Sequence, residues 1–130
     1  LLVLSFIARA FPSVSDCGQG TSIFQITELA FPSTLQAGST ANLTLQYMAP
    51  VQVDNGTITT KVTYNFIPLT PQVKDLCGEV PGGCPIKVGI LDTTSSYLVD
   101  PSLSGTLVLK IQWKDTVNTD LLCVSVSMKV

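Results

Sequence analysis

The sequence predicts an all-β fold, an immunoglobulin-like antiparallel β-sandwich of two sheets. Three observations carry this. Short stretches of alternating apolar and polar residues follow one another with turn-forming residues between them. No stretch keeps a helical period of useful length, and no internal repeat is present. A length of 130 residues fits one domain that buries roughly two-thirds of its unfolded surface, the usual size of a two-sheet sandwich.

Residues 1–10, Leu1-Leu2-Val3-Leu4-Ser5-Phe6-Ile7-Ala8-Arg9-Ala10, read as a signal-peptide remnant. The run is apolar, of h-region length, and places small residues at the cleavage positions. The competing reading is a first strand. Setting the segment aside leaves 11–130 as the domain.

Residues 11–20 carry Pro12, serines, Cys17 and two glycines, and read as a lead-in loop. Residues 22–29 have the mixed alternation of an edge strand; Phe31-Pro32-Ser33 breaks it and 35–38 turn the chain back. In the next strand Ala41, Leu43, Leu45 and Tyr47 share one face, and Asn42, Thr44 and Gln46 share the other. Asp54-Asn55-Gly56 then reads as a hairpin turn. Beyond it Ile58, Thr60, Val62, Tyr64 and Phe66 line one face of a strand that ends at Pro68-Leu69-Thr70-Pro71.

Residues 76–85 hold Cys77 and Cys84, seven positions apart, with Gly78, Pro81, Gly82 and Gly83 between them. That composition predicts a tight loop rather than a helix. Ile86, Lys87 and Val88 start a strand after Pro85, and 86–91 with 95–99 read as one bent strand or two short ones. Residues 106–114 form the cleanest strand, with Leu107, Leu109, Ile111 and Trp113 inward. After a polar hairpin loop at 115–120, the last strand points Val124, Val126 and Met128 inward. Its other face carries Cys123, Ser125, Ser127 and Lys129. An immunoglobulin domain proper is disfavoured, because its paired cysteines would face the core on strands flanking a tryptophan.

Composition removes several functions. Charged residues make up 12% of the chain, the seven basic ones lie singly, and the net charge is −2, so nothing is built to neutralise nucleic-acid phosphates. Without histidine there is neither a nucleophile–histidine pair nor a common metal-ligand set. The nine acids are dispersed, and Glu79 in the cysteine loop reads as a solvated side chain. The loop glycines match no phosphate-cradling motif. The expectation is a protein that is not an enzyme and holds no cofactor and no metal.

Four cysteines together with the sequons Asn42-Leu43-Thr44 and Asn55-Gly56-Thr57 point to an oxidising compartment and to glycans on Asn42 and Asn55. Zinc fails as the alternative, because the cysteines form no close pair of knuckles. Four cysteines allow three disulfide connectivities.

Together Cys17, Asp75-Leu76-Cys77, Cys84-Pro85-Ile86-Lys87-Val88-Gly89 and Asp120-Leu121-Leu122-Cys123-Val124 resemble the ML lipid-recognition family. That family includes the Niemann–Pick type C sterol-transfer, ganglioside-activator and mite group 2 allergen groups. Asp-Leu-Cys and Cys-Pro-Ile-Lys look closest to its phosphatidylglycerol/phosphatidylinositol transfer proteins. The resemblance spans 16–130 and implies the pairings Cys17–Cys123 and Cys77–Cys84. One departure is that many members carry a third disulfide where this chain has 31–38 without cysteine.

Each apolar inward residue, taken singly, is an ordinary core residue. The resemblance implies that the sheets instead splay and leave an apolar cavity for a phospholipid or sterol. The expected lipid-contacting residues are Leu45, Tyr47, Val62, Tyr64, Phe66, Ile86, Val88, Tyr97, Leu109, Ile111, Trp113, Val124 and Val126. Tyr64, Phe66, Ile86 and Val88 are expected together near the open end, and the disulfide loop is expected to brace the Ile86–Val88 strand. Val51, Val53, Ile67 and Leu69 are expected to touch a membrane during lipid exchange. The function implied is a secreted or endo-lysosomal lipid carrier, monomeric, in transient contact with membranes. The alternatives are a structural or adhesive module with a filled core and a lipid-presenting co-receptor.

Overall fold

Period-2 patterning builds two antiparallel sheets whose inward faces are apolar. The computed structural model describes residues 13–32, 36, 38–98, 101–102 and 104–129. The leader expected at 1–10, most of the turn at 33–37, Val99 and Asp100 lie outside the described residues.

The strands run in the order β1 (Ser13–Asp16), β2 (Gln25–Ala30), β3 (Thr40–Ala49), β4 (Gly56–Tyr64), β5 (Ile67–Pro68) and β6 (Gln72–Asp75). A one-turn helix α1 (Leu76–Glu79) follows, then β7 (Gly89–Leu98), β8 (Thr106–Asp115) and β9 (Asp120–Lys129). The larger sheet has the order β1-β9-β8-β4, with β5 and β6 on the free edge of β4; the smaller is β2-β3-β7. Leu43, Leu45 and Tyr47 of β3 face Leu107, Ile111 and Trp113 of β8 and Leu122, Val124, Val126 and Met128 of β9 in one core.

Several local readings change. Residues 13–16 are a strand, because Val14 packs inward opposite Val126 while Ser13 and Ser15 sit on the outer face. Ile23 and Phe24 leave the β2 ladder because their N–H groups donate to Asp120 O at 3.1 Å and Leu121 O at 2.8 Å. Asp54-Asn55-Gly56 is not a hairpin turn: β3 belongs to the small sheet and β4 to the large one. Gly56 is instead required by close approach, since a Cβ there would collide with Lys114 O and the Leu76 side chain.

The Cys77 segment does form a helical turn, capped by Asp75, whose side chain accepts from Cys77 N at 3.1 Å. Residues 89–98 are one unbroken strand paired along its length with β3. It starts after Val88, and Ile86 makes only an isolated bridge to Val53.

The sandwich is closed along one side and open along the other. On the β1–β2 side, the Ile23 and Phe24 hydrogen bonds tie the small sheet to β9. Cys17 is bonded there to Cys123, which lies on the outer face yet is buried beneath the lead-in segment. On the opposite side the edge strand β7 and the short β6 are not hydrogen-bonded to each other.

Candidate functional site

The open side forms a cleft of about 390 Å³ between β4, β6 and β8 on one wall and β7 on the other. Its floor is apolar: Ile58, Val62, Leu109, Ile111 and Trp113, with Tyr97 opposite. Its rim is polar: Gln72, Lys74, Glu79, Thr94 and Ser96. A second, almost wholly apolar space of about 170 Å³ shares Val62, Tyr97 and Leu109 as a common wall and reaches Phe31, Leu98, Leu107 and Met128 at one end of the sandwich. The space between the sheets is thus an open cleft with a polar rim rather than the enclosed apolar cavity expected.

Aromatic packing holds the sheets together at the inner end. Tyr47 stacks on Phe24 at 5.3 Å and meets Trp113 edge to face at 5.3 Å. Burial pushes the Tyr47 phenol up from 10.0 to about 12. Tyr97 is also raised, chiefly by burial; a hydrogen bond with Ser95 opposes that shift and the Glu79 carboxylate adds to it. Glu79 pairs with Lys74 at 3.8 Å across the rim, in largely exposed positions where the pair contributes little.

The structure brings some of the expected residues together and separates others. Val62, Tyr97, Leu109, Ile111 and Trp113 line the main cleft, and Leu45 and Val124 border its deepest part with Leu43 and Leu122. Val126 is buried in the core without lining the cleft. Tyr47 and Ile86 line a different surface groove beside the cysteine loop, with Val80, Pro81 and Leu91.

Tyr64 and Phe66 lie at the opposite end from Ile86 and Val88, so these four do not share an open end. Tyr64 pairs with Leu107 at one end of the large sheet, whereas Ile86 bridges Val53 at the other. Tyr64 is half-buried, with its hydroxyl donating to Ser104 O at 2.7 Å. Phe66 is exposed because the chain reverses at Asn65 and Phe66, which ends the alternation that would have turned its ring inward. Val88 is exposed ahead of β7 and is not among the residues lining the cleft or the groove beside the cysteine loop. Val53 is buried, while Val51 is exposed at the end away from Ile67 and Leu69. Asn42 and Asn55 are both exposed, and Asn42 Oδ1 accepts from Ser96 Oγ at 2.7 Å.

The disulfides are Cys17–Cys123 and Cys77–Cys84, with Cα–Cα distances of 5.0 and 4.9 Å. The second closes the segment leading from α1 toward Ile86, and through Glu79 it fixes one corner of the cleft rim.

Thr93 and Ser95 are inward residues that sequence reasoning missed. Thr93 is buried, and both line the cleft wall. β7 has no clean apolar face, with Ile90 and Leu98 outward and Thr93 and Ser95 inward, so alternation gave no signal.

A family model described as the ML domain matches residues 12–130. A Niemann-Pick type C2 protein from the Japanese carpenter ant superposes with a TM-score of 0.70 at 14% identity, covering 90% of this chain and 98% of that one. Chicken MD-1 complexed with lipid IVa superposes with a TM-score of 0.58 at 13% identity, covering 89% and 86%. The C-terminal domain of wzt gives a TM-score of 0.64 at 14% identity, covering 94% and 79%. No curated protein sequence matches the chain.

Proposed function

The chain belongs to the ML-domain family, and on that premise we propose that it is a secreted, non-catalytic lipid carrier. It holds a phospholipid or sterol in the cleft between β7 and the β4–β6–β8 wall. The observation that supports this most is the cleft itself: about 390 Å³ with an apolar floor, inside the range of ligand pockets. Each lipid methylene buried there contributes on the order of 0.8 kcal/mol, so acyl chains supply affinity without catalytic groups.

The apolar floor takes the hydrocarbon and the polar rim faces the headgroup or hydroxyl. Val62, Tyr97, Leu109, Ile111 and Trp113 are the contacts, joined by Thr93 and Ser95. The two disulfides suit an extracellular or endo-lysosomal lumen. Glycans at Asn42 and Asn55 would project from exposed positions on a monomer.

Transfer entails transient contact with a membrane. The test is movement of a fluorescent phospholipid or sterol from donor to acceptor vesicles. A rate that rises in proportion to protein supports the carrier, and a rate equal to the protein-free control rejects transfer.

A further inference from the structure

We infer that the Phe66 end of the sandwich, together with the outer face of the large sheet that carries Lys61, Lys110 and Lys129, is a docking face for an anionic bilayer, an inference that rests on the carrier reading. Three observations converge on it.

The first is the turn joining β4 to β5. Asn65 and Phe66 have φ of +48° and +69°, the two-residue hairpin geometry whose second central position favours glycine. A bulky aromatic there is a backbone outlier. Its ring packs on nothing that would offset the strain, being 86% exposed, and Ile67 beside it is 63% exposed. The turn is nonetheless fixed: Thr106 N donates to Asn65 Oδ1 at 2.9 Å, and Asn65 N donates to Thr106 O at 2.8 Å. The result is a rigid apolar wedge.

The second is charge. Lys61 and Lys110 sit directly opposite each other on β4 and β8, a like-charge pairing that disfavours the sheet. Lys129 lies on the same face in the end row, opposite Thr106. Among the described residues, the ion pairs are Lys74–Glu79 and Lys114–Asp120, and neither involves these three lysines. The acids Asp54, Asp75, Asp115 and Asp120 collect at the other end of the sandwich, as their register with Gly56, Thr57 and Lys114 shows. The acidic end therefore lies away from the wedge, and Lys61, Lys110 and Lys129 lie on the part of the large sheet nearer to it.

The third is continuity with the cleft. The apolar space of about 170 Å³ reaches this same end through Leu98, Leu107 and Met128, and Leu98 is itself exposed. A bilayer is the partner that offers anionic headgroups for the lysines, hydrocarbon for Phe66 and Ile67, and lipid for the adjoining space. Asn42 is on the outer face of the small sheet, so a glycan there leaves the lysine face clear.

The test is co-sedimentation of the purified chain with phosphatidylcholine vesicles and with mixed phosphatidylcholine–phosphatidylserine vesicles, at physiological and at about 1 M salt. The expected result is binding to the mixed vesicles that is at least tenfold weaker on phosphatidylcholine alone or in high salt. Changing Lys61, Lys110 and Lys129 together to Gln lowers affinity for the mixed vesicles on the order of a hundredfold, about fivefold per lysine. Phe66→Gly suits the turn and keeps the fold, yet weakens binding to both vesicle types.

Equal binding of the unaltered chain to both vesicle types overturns the inference, as does full binding by the triple variant or by Phe66→Gly. Lysine-dependent capture by heparin without vesicle binding also overturns it, assigning the face to a soluble polyanion. Lipid loading from detergent micelles, read by mass spectrometry, separates this from the carrier reading. Variants that load normally but no longer sediment support the docking face. A chain that sediments as expected but never loads leaves the docking face standing and rejects the carrier.

Discussion

Tyr47 of the small sheet and Trp113 of the large sheet meet edge to face, with ring centroids 5.3 Å apart and planes at 79°. This contact pins the sheets together where the cleft ends, and the cleft opens outward from it toward β6 and β7. Trp113 has both roles, since it is buried in the core and also lines the cleft.

Trp113→Ala is therefore expected to cost about 3–5 kcal/mol in chemical denaturation. A double-mutant cycle with Tyr47→Ala is expected to give a coupling of about 0.5–1.5 kcal/mol, the range for aromatic pairs. Additive effects would show that the two rings do not hold the sheets jointly.

The same tyrosine sets an alkaline limit. Its folded pKa, about 12, stands above the ordinary 10.0, so the neutral phenol is the form the fold prefers. Its contribution to stability is fully present below about pH 10 and is lost as pH rises toward about 12. The urea midpoint should fall across that window, and Tyr47→Phe should fall less steeply. Identical pH profiles for the two proteins would contradict the assignment.

The disulfides are expected to differ in weight. Cys17–Cys123 spans a sequence separation of 106 and Cys77–Cys84 one of 7. Loop-closure entropy gives about 4–5 kcal/mol for the first and about 2–3 kcal/mol for the second. Replacing each pair by serines and comparing denaturation midpoints checks the order. The short bridge should also affect lipid loading, because it fixes the corner of the rim that carries Glu79.

Ser95 offers a way to fill the cleft without disturbing the core. It faces inward from β7 and lines the cleft wall. Ser95→Phe should leave the melting temperature within a few degrees of the unaltered chain while abolishing lipid uptake. Undiminished uptake in a folded Ser95→Phe protein would place the lipid elsewhere.

Strands with one apolar face were legible in the sequence. β3, β8 and β9 lie where alternation puts them, and their inward residues form the core. What alternation cannot report is which sheet a strand joins. Asp54-Asn55-Gly56 has hairpin chemistry, but Gly56 answers to close packing against Lys114 and Leu76.

Nor does alternation see where the chain turns. Phe66 continues the period of Tyr64 in sequence, yet its positive φ reverses the chain and exposes the ring. The cleft wall was illegible for a related reason. Thr93 and Ser95 are polar residues facing inward, which is what a strand bordering a void permits and a strand closing a packed core does not.

Lipid occupancy tests the carrier most directly. The purified chain is denatured in organic solvent and the extract is read by mass spectrometry beside native mass spectrometry of the intact protein. The prediction is one phospholipid or sterol per chain, displaced in Ser95→Phe. A chain that carries no lipid, and takes up none from mixed vesicles, would contradict it.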